Sequence, residues 1–434
     1  MAELPPATKR EIWSWAMFDF ANSSYTTVIV TVSFSVYFTQ QVAPEGRGDV
    51  LWGLGISISN LIVLLLSPIV GAIADDSGRK KHFLFITYLT CVIGTALLWL
   101  VTPGQVGLGL VFLVISFVGF SFGENLAGAF LPEISTPANI GKVSGYGWGL
   151  GYFGGLACLV ATQPLLANKA NLSHIRLAWV VTALFFFMAA IPTFLFLRER
   201  VPRGTKTPIE YVTSGFARLR ETAAAVRRFF ELVRFLAVYV VFYAGLTSVV
   251  AFAAIFASRT LGFQQAELTL LFILLQLSAA AGAVIFGALQ DRLGSVLTIQ
   301  MTLVLWVVVC LGTYACGDGT ETVLAGWTGK QLFWGVAMFS GFGMGSLQSA
   351  SRALVGLFSP PEKSGEFYGF WGFAGKAGYI LGPLTFGVIS SATGSQRVAI
   401  LSTAAFFVLG LIGMAFVNEK KGIAAAHSWH EEHA

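Results

Sequence analysis

Charge is scarce in this sequence. Only 11% of its 434 residues are Asp, Glu, Lys or Arg, against 55% hydrophobic and 14% aromatic, and so little polar surface cannot enclose a soluble core. Cysteine is scarcer still. Cys91, Cys158, Cys310 and Cys316 have no metal-type spacing and at least three lie in apolar runs, which marks them as packing residues. Of five histidines, His427, His430 and His433 sit in the C-terminal tail beside Glu431 and Glu432, a pattern that suits a solvated tail as well as a metal site. No Ser/His/Asp or Cys/His grouping stands out, so an embedded hydrolase lacks its machinery. The expectation is a chain that is not an enzyme and holds no metal or cofactor.

What the sequence has instead is long apolar runs. Stretches of roughly 20 residues, enough to cross about 30 Å of hydrocarbon, are expected near 15–40, 51–74, 83–102, 107–131, 144–166, 177–197, 234–257, 268–289, 296–316, 332–358, 366–391 and 398–417. The first run continues through Val36-Tyr-Phe38 without a small-residue cleavage site, so it reads as a retained helix. With both termini inside, nineteen of the 27 basic residues fall in inner segments and six in outer loops, as the positive-inside rule requires. The net charge of +5 thus reflects topology and gives no sign of a nucleic-acid partner. A bacterial inner membrane and a functional monomer are the expected setting.

The longest polar stretch divides the chain into a tail (1–14), a six-helix half (15–197), a linker (198–233), a second six-helix half (234–417) and a second tail (418–434). In the linker, Ile209, Val212, Phe216, Leu219, Ala223, Val226, Phe230 and Val233 recur at steps of three and four. That spacing fits an amphipathic helix, lying on the inner leaflet or packed beneath the bundle.

The two halves share a sequence word. Gly71-Ala-Ile-Ala-Asp75-Asp76-Ser77-Gly78, followed by Arg79, Lys80 and Lys81, returns 216 residues later as Gly287-Ala-Leu-Gln-Asp291-Arg292-Leu293-Gly294. Such a repeat points to two related membrane halves. Pro137 and Trp148 have the same spacing as Pro360 and Trp371. A carboxylate at Asp75 or Asp291 can pair with a base or cap the start of a neighbouring helix, whose partial positive charge stabilises it. Gly71 and Gly78 permit close helix approach and a tight turn.

Charges inside the spans are costly, about 3 kcal/mol on insertion scales, and usually line cavities or pairs. Helical spacing puts Asp19, Asn22, Ser23 and Thr26 on one stripe, Ser121, Glu124, Asn125 and Gly128 on a second, Gln348, Ser349 and Arg352 on a third, and Lys376 with Tyr379 on a fourth. Two acids in one half and two bases in the other can balance across a central cavity, or the acids can make structural salt bridges near the inner boundary. An acid poised between burial and a nearby base can exchange a proton near neutral pH. Gly145, Gly147, Gly149, Gly151, Gly154 and Gly155 crowd the fifth span, where small residues allow close packing in lipid.

Twelve spans in two halves with repeated Gly-Asp-Gly turns resemble the major facilitator superfamily over nearly the whole chain. The resemblance implies an all-α membrane fold of two pseudo-symmetric six-helix halves. It places Gly71, Asp75, Gly78, Arg79, Lys80, Asp291 and Arg292 in a cytoplasmic gate, although Asp76 stands where the superfamily carries a base. Narrower words, Phe18-Asp-Phe-Ala-Asn-Ser-Ser-Tyr25, Leu131-Pro-Glu-Ile-Ser135, Gly145 to Gly155, Ser351-Arg352, Glu366-Phe-Tyr-Gly-Phe370, Gly375-Lys376-Ala377 and Thr393-Gly-Ser-Gln-Arg397, resemble the family of the autophagy-related vacuolar amino-acid effluxer. That family often carries Asn where Gly128 stands and Tyr where Phe18 stands. The resemblance implies a secondary transporter, with amino-acid efflux as the characterised example. The charged stripes add the expectation of proton-coupled movement of a small polar solute, with Asp19, Asn22, Ser23, Glu124, Asn125, Gln348, Arg352 and Lys376 as the candidate binding or coupling set. Export of drugs, lipids or metal ions on the same fold, or a non-transporting membrane sensor, are the alternatives.

Overall fold

A computed structural model describes residues 6–167, 171–201, 204, 206–224, 227–317, 322–324 and 326–433. The first half by sequence comprises α1 (Lys9–Ser24), α2 (Phe34–Tyr37), α3 (Gly48–Ser77), α4 (Lys80–Leu97), α5 (Val106–Gly128), α6 (Leu131–Ile134), α7 (Ile140–Leu166), α8 (Leu172–Ala189) and α9 (Ile191–Phe196). The linker forms α10 (Pro208–Ala224). The second half comprises α11 (Phe230–Arg259), α12 (Gln265–Leu293), α13 (Ser295–Ala315), α14 (Gly329–Leu357), α15 (Ser364–Thr393), α16 (Gln396–Met414) and α17 (Glu419–His433). Between α13 and α14, strands β1 (Thr322–Leu324) and β2 (Trp327–Thr328) pair antiparallel, a detail too short to leave a periodic signal.

Local chemistry fixes the helix ends. Thr8 caps α1 in a reciprocal box with Glu11, and Thr328 does the same for α14 with Gln331, so two of the N–H groups left open at each start are satisfied. The tight turn after α3 uses Gly78 in the left-handed region (φ 58°), which other residues enter at a cost. Among the described residues, nine helices are long and apolar enough to cross a membrane. The other three expected spans are helical too: the run from Lys9 to Val42 winds into π-helix over Tyr25–Ser33 and Phe38–Val42, while α14 and α15 carry Gln348, Arg352 and Lys376 among glycines and serines.

The helices group into two compact units that differ from the sequence halves by two segments. Unit 1 holds Met1–Thr136, Leu150–Ala223 and Pro361–Phe373; unit 2 holds Pro137–Gly149, Ala224–Pro360 and Ala374–Ala434. The start of α7 therefore belongs to unit 2 and the start of α15 to unit 1. The reason lies in contacts that neither half provides within its own sequence, described below.

Unit 1 is cored by aromatics whose polar tips are paired. The Trp15 indole donates to the Ala127 carbonyl at 2.7 Å, the Tyr25 hydroxyl meets Ser116 at 2.8 Å and Trp179 donates to Ser33 at 2.6 Å; such partners offset the cost of burying an indole N–H or a phenol hydroxyl. Along α7, a Cβ at Gly151, Gly154 or Gly155 would meet Asp19, Phe20, Ser23 or Thr27 of the first span, which is why small residues recur there. In unit 2, Trp306 stacks on Phe407 at 5.1 Å, and Gly282, Gly341 and Gly345 let α12 and α14 touch backbone to backbone.

The linker helix packs in unit 1. Gly215 lies against Ile73, and the Glu210 carboxylate takes the Thr207 N–H (2.7 Å) and hydroxyl (2.9 Å), bonds that hold its pKa below the usual carboxylate range. The side chains of Ile209, Val212, Leu219, Ala223 and Val226 lie outside the described residues, as do residues 202 and 203. Phe230 and Val233 belong to α11, so the apolar stripe is divided between two helices rather than one. The C-terminal segment expected to be a solvated tail is helical: Trp429 is buried, faces Phe229 at 5.4 Å, and Arg228 holds Glu432 through both carboxylate oxygens.

Candidate functional site

The first aspartate of the repeat ends α3, buried in unit 1. Its two carboxylate oxygens accept the Gly365 N–H at 2.9 Å and the Glu366 N–H at 2.8 Å, the first turn of α15. A carboxylate on a helix start gains from two charge-assisted hydrogen bonds and from the helix dipole. Gly71 and Gly365 make the approach possible, since a Cβ at Gly71 would fall on the Gly365 carbonyl.

Lys80 completes this site. Its ammonium is 3.4 Å from Asp75, pairs with Glu133, donates to Ser364 Oγ at 2.6 Å and to the Pro361 carbonyl at 3.2 Å. Lysine, both carboxylates and their neighbours are almost wholly buried. One base is thus shared by two acids while tying α4 to the segment ahead of α15. Next to it, Lys363 lies 3.7 Å from Glu366 and donates to Thr222 of α10 at 2.9 Å. Arg79 is exposed, so the positive charge of the cluster comes from its neighbour.

The second aspartate does the corresponding work in unit 2. Asp291 accepts the Gly141 N–H at 2.8 Å and the Lys142 N–H at 3.1 Å, the first turn of α7, and the glycine pair recurs as Gly287 against Gly141. Arg292 is exposed. Here the reinforcing base is Arg352, 1% exposed, which donates to the Ser144 hydroxyl (3.1 Å) and carbonyl (2.9 Å) and lies 5.4 Å over the Trp148 ring. Each copy of the word therefore clasps the start of a helix that continues into the other unit.

Among the residues expected to bind or couple, Asn22 and Asn125 are buried in unit 1, and Asp19, Ser23 and Glu124 are half-buried there. Asn125 donates to Ser67 at 3.0 Å and a Cβ at Gly372 would meet its amide, so it serves helix packing. Gln348 and Lys376 are half-buried in unit 2. A second feature of unit 2 is an apolar cavity among Phe252, Phe256, Phe333, Phe386, Val309 and Ile400, which contains none of the expected residues. Sequence reasoning gave no role to Glu133, Ser144, Lys363 or Glu366. Glu133 had a signal: it is the single acid in Leu131-Pro-Glu-Ile-Ser135 at the end of an apolar run, a place where a charge needs a partner.

Known proteins resemble this chain in sequence and in fold. The family model described as vacuole effluxer Atg22 like matches residues 53–142 and 138–427. A Bacillus subtilis protein described as an uncharacterized MFS-type transporter, YxiO, is 29% identical over 424 residues, covering 95% of this chain and 96% of that one. Autophagy-related protein 22-1 of Neosartorya fischeri is 26% identical over 65% of this chain and 48% of its own length, so the match spans about half of that fungal relative. Among solved structures, the human organic anion transporter MFSD10 superposes with a TM-score of 0.73 at 15% identity, covering 94% of this chain and 99% of its own. The proton:xylose symporter XylE gives 0.75 at 14%, covering 97% and 98%. Likeness at such identities establishes the fold, two related halves of membrane helices, and the sequence matches identify the branch. The chain is a multi-pass membrane transporter with the major facilitator fold, and it belongs to the Atg22-like vacuole effluxer family.

Proposed function

We propose that this transporter moves a small zwitterionic solute of the amino-acid class by alternating access, coupled to protons, with both termini in the cytoplasm. The observation that carries the reading is the duplicated clasp, in which Asp75 and Asp291 each take two N–H groups at a helix start. α7 and α15 both change unit along their length, so a transporter that alternates must release and remake those bonds. The basic residues at the same ends of the helices make this the cytoplasmic gate.

Cargo recognition is assigned to the half-buried charges rather than to the gate. Arg352 holds Ser144 and lies over Trp148; the half-buried Lys376 is the proposed partner for a carboxylate, and Asp19 or Glu124 for an ammonium. The same acids are the proton carriers. In proteoliposomes, a thermal-shift hit among amino acids at several pH values, followed by counterflow with that solute, identifies the cargo. Asp19→Asn and Glu124→Gln should each cut pH-driven uptake of it at least tenfold while counterflow persists in at least one of them. Undiminished proton-driven uptake in both variants overturns the coupling, and no stabilisation by any amino acid overturns the cargo class.

A further inference from the structure

The word that marks this family's gate carries an acid, Asp76, where the superfamily has a base, and the structure gives that acid a specific employment. Asp76 binds Lys206 of the linker at 2.8 Å and the Ser214 hydroxyl of α10 at 2.6 Å. The Gly204 N–H, just ahead, donates to the Ser77 carbonyl at 3.0 Å, and Gly215 rests on Ile73 of the same helix. The first half of α10 is therefore moored to the end of α3, one residue from the gate aspartate. At its far end, Thr222 accepts from Lys363 at 2.9 Å and Glu221 lies 4.0 Å from the same ammonium. Lys363 immediately precedes α15, whose first-turn N–H groups are those held by Asp75. All of these contacts lie within unit 1.

We propose that α10 is a strap across the Asp75 gate, with Asp76 and Lys363 as its two positioning residues, so that docking of the linker sets how readily the gate opens. The two moorings are unequal. Among the described contacts, the Asp76 end has an ion pair, a hydroxyl, a backbone bond and a glycine contact, and the Lys363 end a hydrogen bond and a long ion pair. When α15 leaves Asp75 it must also leave Thr222, and the strap stays behind on α3. Thr222 is then the site at which the linker resists opening, and the mooring at Asp76 is what allows it to pull. A chain with a base at position 76 could not hold Lys206 in this way, since like charges would face each other.

This inference rests on the gate reading above, and its test separates the two. Hydrogen exchange of the full-length protein in nanodiscs follows the Gly365 and Glu366 amides, whose protection reports the gate. Asp75→Ala sets the released value. Thr222→Val and Asp76→Ala, neither of which touches those amides, should each speed their exchange about three- to tenfold, the scale of the net contribution of one typical hydrogen bond. Lys330→Met, which removes the ion pair to Glu267 in unit 2, should leave them unchanged. Faster exchange confined to residues 204–216, with the Gly365 and Glu366 amides unaffected in both strap variants, overturns the strap. If Asp75→Ala itself leaves those amides protected, the gate reading fails instead, and the strap with it.

Discussion

Replacing Lys80 with methionine should destabilise this protein more than any other single loss of charge. The side chain is 1% exposed and serves two buried carboxylates, Asp75 and Glu133, together with Ser364 and the Pro361 carbonyl. Breaking a buried pair by removing one partner costs about 3–5 kcal/mol, because the remaining charge is left in a low-dielectric site without compensation. Here two acids are stranded, and they also repel each other. Asp75 retains two backbone N–H donors, so the more exposed energetic debt falls on Glu133. The double variant Lys80→Met with Glu133→Gln should therefore melt well above Lys80→Met alone, giving a coupling energy of at least about 1 kcal/mol. All four cysteines are buried, so a thiol-reactive dye reads unfolding directly. A melting point for Lys80→Met within a degree of the parent, or a double variant that melts lower than the single, would show that the cluster does not hold α4 to the start of α15.

The fold was legible in this sequence because the bilayer enforces a simple grammar. Each crossing needs a run of apolar residues, and basic residues accumulate on one side. The repeated word was equally visible, and so was the capacity of its aspartate to cap a helix. What the sequence could not supply was the identity of the capped helix. The partners Gly365 and Glu366 lie 290 and 291 positions from Asp75, and a backbone N–H has no sequence signature. The same applies to Asp291 and the start of α7. Arg352 illustrates the converse. As an intramembrane charge it reads as a substrate contact, and its guanidinium also holds Ser144 and lies over Trp148, which are ordinary residues until folding brings them together. Asp76 was legible only as a departure, because its partners Lys206 and Ser214 lie in the linker, 130 and 138 positions away, where no repeat or span pattern pairs them with it.

The glycines of the gate lead to the second large effect. Some helical glycines here face side chains that can move: a Cβ at Gly55 would come within 2.9 Å of a Leu110 methyl, and a rotamer change relieves that. Gly71 differs, because its Cβ would fall on the carbonyl of Gly365, and a helix backbone cannot rotate away. Overpacking of this kind costs about 1–3 kcal/mol where it is confined to one contact, and the contact exists only while α15 is docked on Asp75. Gly71→Val should thus leave insertion and melting nearly unchanged and instead shift the gate, speeding exchange at the Gly365 and Glu366 amides about tenfold or more. Gly287→Val should do the same for the amides of Gly141 and Lys142, since Gly287 meets the Gly141 carbonyl in the second clasp. Gly53→Ala, at a position with nothing within 4 Å, is the control and should be silent at both. If Gly71→Val unfolds the protein outright, Gly71→Ala supplies the smaller wedge, with a smaller shift in the same direction. Unchanged protection at Gly365 and Glu366 in a folded Gly71→Val variant would mean that α15 docks without the close approach, and the pairing of glycine with aspartate in each repeat would then have no mechanical basis.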